Sequence, residues 1–489
     1  MIVYIVFFFL LIVTILRFCP FFRIPNASPW LFPFGFAVKT AVSFFFLYVY
    51  SYHYGVGELT ADASSFFVES KILNNVFYES PVTYFKFLFG LNNHQEVMQY
   101  LSETTQWDYS SDKILHDVRN ILKLHSIIHF VSFNQIIIHA MVVVVISLLG
   151  IKFMILAMRS YIKISVNIQF LVLLLMPNVL FWTSGILKEP LLIFSIGFFL
   201  YVVLRPFKPL KKCLLLGLSI LFLLSIKPYL LFCIAVAMLV YFVIVRIKNI
   251  KTALFVLFIG IGLAISSLLT KPMEPVVQKL SNQQFDFINI GKGGVFARAD
   301  TCIYIIYGED MPSVIVNRID STVYLTKEVV GDYIQPNAKK DKKRCIIQPN
   351  EKPWKMYYDG EFSGSYIETT PIEQSPLQLV KNIPQAMNNV LLRPLPSDPP
   401  HSVFKWFSIL DAWGVYTLLF TVLLFFRRKL ERKELNFIIA LCVFSLVLTL
   451  LIGWTTPILG AIIRYKIPIQ IAIMFIILIL FNPQKLRNG

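Results

Sequence analysis

The chain has 489 residues, 56% of them hydrophobic, and a mean hydropathy of +0.67. Long uncharged apolar runs at that hydropathy exclude an ordinary soluble domain and indicate membrane helices. The net charge of +17 is gathered in short loops between the runs, with no basic stripe of interleaved aromatics, which argues against a nucleic-acid partner.

The runs predict about eleven spans, at residues 2–16, 33–53, 127–151, 166–184, 188–204, 212–226, 229–245, 252–270, 403–426, 435–454 and 466–481. Each is near or somewhat below the ~20 residues that a bilayer core requires. The first lacks a basic leader and a small-residue cleavage site, so it reads as a retained helix, not a signal peptide. Residues 188–204 and 212–226 are short, with Pro190 and Pro228 at turns. Segments 166–204 and 212–245 therefore read as paired spans or as re-entrant hairpins, and both return the chain to the same side.

Basic residues follow alternate spans: Arg17 and Arg23, then Lys152, Arg159 and Lys163, then Arg205 to Lys212, Arg246 to Lys251, Arg427 to Lys433, and Lys485 with Arg487. The positive-inside rule puts these loops in the cytoplasm with the C-terminus, and the N-terminus and large loops outside. The expected fold class is an all-α polytopic membrane protein with a small extracytoplasmic mixed α/β insertion, in a bacterial inner membrane. Its parts are two membrane helices (1–53), a first outer loop (54–126), a transmembrane core (127–270), an extracytoplasmic domain (271–402) and C-terminal membrane helices (403–489).

In the first outer loop, Ile114, Leu115, Val118, Ile121 and Leu122 form an apolar stripe, opposite Asp112, Lys113, Asp117, Arg119 and Lys123. This predicts an amphipathic helix, lying on the membrane or packed against the outer layer. The insertion has turn signals at Gly291–Gly294, Tyr358–Gly360 and Ser363–Ser365, between β-prone runs at Cys302–Tyr307 and Ser313–Val316. Cys302 and Cys345 share this segment, and a disulfide between them is expected in an oxidising compartment. No CxxC or Cys/His metal spacing occurs, so the sequence establishes no cofactor, and a divalent metal stays open without ligand spacing to support it. His129 and His139 are expected to be satisfied by neighbouring helices, with Asn134 and Gln135 as partners.

Polar residues recur at the outer membrane edge: Glu58 and Asp62 after the second span, Trp182, Lys188 and Glu189 in the turn after the fourth, Lys227 in the next outer turn, Arg393 before the ninth span, and Arg464 with Lys466 before the last. Any one of them is explained by a loop ion pair or by snorkelling. Together they fit transfer from a phosphate-linked donor. Asp62 would be the general base on an acceptor hydroxyl, and Lys188, Lys227 and Arg464 would hold the phosphate. Glu58, Trp182, Glu189, Arg393 and Lys466 complete the expected substrate-binding set.

An Asp after an early span in the first large outer loop, followed by Phe66 and Phe67, a short amphipathic helix ahead of the next span, and a polar domain among later spans together resemble the GT-C glycosyltransferases. The resemblance implies a polyprenyl-phosphate-linked sugar donor, membrane lipid as surroundings, and a glycan, lipid or protein acceptor. The sequence departs from that pattern in two respects: Asp62 is followed by Ala63 instead of a second acid, and the loop follows the second span instead of the first. A polysaccharide polymerase or ligase using lipid-linked oligosaccharide is the near alternative, and a non-enzymatic scaffold or transporter the distant one. Against transport stand the lack of an internal repeat and of mid-span acids.

Overall fold

The apolar runs fold as helices, since backbone away from water must satisfy its N–H and C=O groups within its own segment. The computed structural model describes residues 1–55, 57–104, 107, 116–247, 274–299, 302–307, 310–317, 320–334, 343–360, 363–372, 376–399 and 403–486. The expected span 252–270 lies outside them. Two units are distinguished: Met1–Arg246 with Trp413–Ser445 and Ile467–Gly489, and Ile247–Ala412 with Leu446–Lys466.

In the first unit α1 (Ile2–Phe18) and α2 (Leu31–Tyr48) lead to three further helices, α3 (Ala61–Glu79), α4 (Pro81–Phe89) and α5 (His94–Tyr100). There follow α6 (Asp117–Ser132), α7 (Ile136–Met158), α8 (Val166–Leu175), α9 (Pro177–Trp182), α10 (Glu189–Leu204), α11 (Pro209–Ile226) and α12 (Pro228–Arg246). The tightest packing joins α7 to α10. A Cβ on Gly197 would lie 2.2 Å from the Gly150 carbonyl oxygen, and one on Gly150 would lie 2.6 Å from the Ile193 backbone. Only small residues allow helix backbones to approach this closely. Phe153 closes the seam against Phe194, Phe198 and Tyr201.

The second unit holds α13 (Glu274–Lys292) and a seven-stranded sheet: β1 (Gly294–Ala299), β2 (Cys302–Tyr307), β3 (Val314–Asn317), β4 (Thr322–Leu325), β5 (Val329–Ile334), β6 (Lys343–Ile347) and β7 (Trp354–Gly360). The order is β3-β4-β7-β1-β2-β5-β6, antiparallel at every pairing. Alternating side chains, Val295 and Ala297 on β1 and Val323 and Leu325 on β4, join Ile306, Val329 and Ile347 in one core, as the two-residue period of strands requires. The short helices α14 (Pro376–Lys381) and α15 (Ile383–Met387) follow. Helices α16 (Val403–Phe425) and α17 (Arg432–Thr455) are divided between the units; α18 (Leu459–Tyr465) belongs to the second and α19 (Ile467–Leu480) to the first. Every residue of α19 is buried, as befits a helix apolar all round.

Several expectations are corrected. Among the described residues six helices, not eleven, are long and apolar enough to cross a membrane: Leu31–His53, Ile136–Met158, Pro209–Ile226, Pro228–Arg246, Lys405–Phe425 and Arg432–Thr455. A seventh appears if the bent pair α18 and α19 is one span. The run at 127–151 is broken where Phe133 and Asn134 take left-handed backbone, so α6 ends at Ser132. The run at 166–184 is split at Pro177 into α8 and α9, whose ten and six residues are too short to span singly. These long apolar helices fit an integral membrane protein.

Of the predicted amphipathic helix, Asp112, Lys113, Ile114 and Leu115 lie outside the described residues; the described part, α6, is packed against other helices, and its assigned polar face is corrected. Arg119 and Lys123, assigned to its polar face, are buried at 0% and 7% exposure, because α6 packs against α3 and α7. β2 coincides with the predicted strand, whereas Tyr358–Gly360, expected as a turn, lies inside β7.

The expected Cys302–Cys345 disulfide is not formed. Cys345 on β6 faces Gly331 on β5, which by continuation of the register faces Ile306 on β2. Cys302 is thus two strands across and four residues along, roughly 16 Å away, against a limit of about 7 Å for a bridge.

Gly197→Val is expected to destabilise the purified protein by about 3 kcal/mol, at the upper end of overpacking costs, read as a lowered thermal midpoint in detergent. An exposed control, Gly217→Val, meets no atom within 4 Å and should leave the midpoint within a degree or two of wild type.

Candidate functional site

The first turns of α3, α6 and α10 and the α11–α12 junction bring charged side chains together in the first unit. Lys188, the residue before α10, donates to Asp117 Oδ2 at 2.5 Å. The next residue, Glu189, pairs with Lys227 at 3.7 Å, and their side chains are 1% and 7% exposed. Glu189 opens α10 ahead of Pro190, where the helix dipole favours a carboxylate and proline's missing N–H costs nothing. On α6, Arg119 and Lys123 lie one turn apart over the Trp107 ring, at 5.3 and 5.7 Å from its centre. Asn120 ties the same helix to the Ser225 carbonyl, close to Lys227 in sequence.

Asp62 stands exposed in the first turn of α3. Its neighbour Ala63 packs with Phe46 and Leu187, and the Lys188 ammonium lies 6.0 Å from the Phe66 ring centre. Phe66 is one helical turn from Asp62 on the same face. Asp62 and Lys188 therefore belong to one edge of this unit. Glu58 is exposed in the preceding loop, and Trp182 packs edge-on against Phe181, 5.2 Å between ring centres.

A buried histidine network joins α3, α6 and α7. His125 Nδ1 meets His139 Nδ1 at 2.9 Å, His139 Nε2 meets Ser132 Oγ at 2.9 Å, and His129 Nε2 meets Ser70 Oγ at 3.1 Å. Neighbouring helices thus satisfy His129 and His139, but through Ser70, Ser132 and His125 instead of Asn134 and Gln135. Among the described residues no group of three or more His, Cys, Asp or Glu side chains is arranged to hold a metal ion.

Sequence reasoning missed Lys39. It is fully buried within α2 and donates to Thr183 Oγ1 at 2.5 Å, while Ser43 donates to the Ser184 carbonyl at 2.7 Å. A lone cation in the apolar run 33–53 was the available signal. His125, also missed, carried no signal beyond its helical spacing from His129.

Arg393, Arg464 and Lys466 belong to the second unit. Lys466, 2% exposed, donates to the Arg393 carbonyl at 2.8 Å, and Arg393 pairs with Asp398 at 3.0 Å. Arg464 is half-buried in the last turn of α18. The expected set therefore divides into Glu58, Asp62, Trp182, Lys188, Glu189 and Lys227 in one unit and Arg393, Arg464 and Lys466 in the other. Lys227, expected on a phosphate, forms a buried ion pair with Glu189, which offsets the cost of desolvating its charge. The chain was compared with protein-family models, curated proteins and solved structures, and it matches none of them.

Lys227→Ala leaves Glu189 buried without this partner and should cost about 3–5 kcal/mol. Lys188→Ala should cost less than about 1 kcal/mol, because Asp117 is 40% exposed and rehydrates. Denaturation midpoints of both variants in detergent check this ranking.

Burial, and after it the charge of His129, push the His125 imidazole down to about 3, against about 6.5 in an unfolded chain. Below pH 6.5 the unfolded state binds the extra proton, so stability is full above that pH and is lost as pH falls toward 3. A thermal midpoint that declines from pH 6.5 to 5 in wild type, but is flatter in His125→Asn, is the expected result.

Proposed function

We propose that the chain is an integral membrane glycosyltransferase of the GT-C kind, acting on the extracytoplasmic face of a bacterial inner membrane. It would take a sugar from a polyprenyl-phosphate-linked donor to a glycan, lipid or protein acceptor. The observation that supports this most is the shared edge of Asp62 and Lys188: an exposed carboxylate one helical turn from Phe66, whose ring lies 6.0 Å from the Lys188 ammonium, a cation whose own partner, Asp117, is partly exposed. A phosphate can replace a partly exposed carboxylate at modest cost.

In this reading Asp62 accepts the proton of the acceptor hydroxyl as its oxygen attacks the anomeric carbon. The bond from that carbon to the phosphate oxygen breaks, and the departing polyprenyl phosphate takes the electron pair. Lys188 exchanges Asp117 for the phosphate and stabilises the charge it gains. Trp182, half-buried, supplies flat apolar surface suited to a sugar face. The Glu189–Lys227 pair fixes the start of α10 and so aims Lys188. The cations of the second unit have no assigned step.

The departure at Ala63 favours one alternative. With no second acid beside an exposed Asp62, a polymerase or ligase that relies on cations uses the same edge without a strong base.

Release of polyprenyl phosphate from a polyprenyl-phosphate sugar by purified protein, with acceptor glycan, separates the readings. Asp62→Asn keeps the shape but cannot take a proton at neutral pH, so a loss of about 10²–10⁴-fold at unchanged expression is expected. Full activity in Asp62→Asn with loss in Lys188→Ala points to the polymerase or ligase. Absence of release by wild type with every donor and acceptor pair contradicts both and leaves a scaffold or transporter.

A further inference from the structure

The end of α16 carries a feature that glycosyl transfer does not use. A groove of about 520 Å³ opens there, lined by Leu423, Leu424 and Leu430 and by Arg427, Arg428 and Lys429. The leucines continue the outward apolar surface of the candidate span Lys405–Phe425, where Leu424 and Phe425 are 57% and 64% exposed. The cations begin two residues past that span, at the depth of lipid headgroups.

The three cations differ in what holds them. Arg428 is fixed: Nε donates to the Ile479 carbonyl at 2.6 Å, Nη1 to Glu434 at 2.8 Å and Nη2 to the Tyr161 carbonyl at 3.2 Å. The chain on either side is anchored too, since the Arg427 backbone bridges Phe481 and the Arg428 N–H donates to the Leu480 carbonyl. Arg427 and Lys429 flank this anchor, and both are exposed. Neither side chain has a hydrogen bond or ion pair with another described residue. The nearby acids do not neutralise them: Glu434 is held by Arg428, and Glu431 lies between Lys163 at 3.3 Å and Lys433 at 3.0 Å.

We infer that this groove binds the headgroup of an anionic phospholipid. The phosphate accepts hydrogen bonds from the Arg427 guanidinium and the Lys429 ammonium, while an acyl chain lies along Leu423, Leu424 and Leu430. A groove half of leucine at the edge of a membrane span selects a lipid over free phosphate. Each basic side chain at an anionic membrane surface contributes roughly a factor of five in affinity, so the pair supplies about 30-fold.

Native mass spectrometry of the full-length protein in detergent tests this, with phosphatidylglycerol, phosphatidylcholine and inorganic phosphate as probes. Wild type should retain phosphatidylglycerol well above phosphatidylcholine. The double variant Arg427→Ala/Lys429→Ala should lose about 30-fold in affinity for it. Lys433→Ala, which removes a cation already paired with Glu431, should retain wild-type binding. The bulkier Arg427→Gln/Lys429→Gln serves if the alanine variant melts early. Equal retention of phosphatidylcholine, undiminished binding by the double variant, or displacement of the lipid by millimolar inorganic phosphate would each overturn the assignment.

Discussion

The contact between Gly150 and Gly197 decides where the charged edge of the first unit can form. With no side chain on either residue, α10 lies against α7 at backbone distance, and everything at the start of α10 inherits that placement. Lys188 and Glu189 are the first residues to do so. A displacement of one carbon–carbon bond would be enough to spoil the 2.5 Å contact from Lys188 to Asp117, since hydrogen bonds weaken steeply beyond about 3.2 Å. A packing constraint in the apolar middle of the unit is thereby expressed as charge geometry at its end.

The second governing constraint is the cost of polar groups away from water. Lys39, the three histidines, Glu189 and Lys227 are all buried or nearly so, and each meets another polar group in the fold. The partners come from different helices, so each contact also fixes one helix to another. Asp62 and Asp117 differ from these groups in being open to solvent. The contrast separates charges that hold the fold from charges open to solvent: Glu189 and Lys227 hold α10 and the α11–α12 junction, and Asp62 and Asp117 stand on the rim.

Much of the helical character was legible because apolar runs of membrane length have few other outcomes, and β2 was legible from the run Cys302–Tyr307. What composition concealed was backbone conformation. Nothing in the hydropathy of residues 127–151 marks the left-handed turn at Phe133 and Asn134, and the proline at 177 cuts what otherwise reads as one span. The polar face of α6 was misassigned because Trp107 and neighbouring helices cover Arg119 and Lys123, which is a tertiary fact. The disulfide failed for a related reason: a shared compartment says nothing about strand order, and register keeps Cys302 and Cys345 apart. At the candidate site, both the approach of Lys188 to Phe66 on α3 and the burial of Lys227 with Glu189 required the fold.

The central claim is that the edge shared by α3, α6 and α10 receives a polyprenyl phosphate. Photo-crosslinking with a diazirine-bearing polyprenyl phosphate, followed by peptide mapping, tests it most directly. The account predicts adducts within residues 58–67, 107–123 or 181–189, suppressed by excess unmodified polyprenyl phosphate and reduced in Lys188→Ala. Adducts confined to other segments, or labelling of these segments that the competitor leaves unchanged, would contradict it.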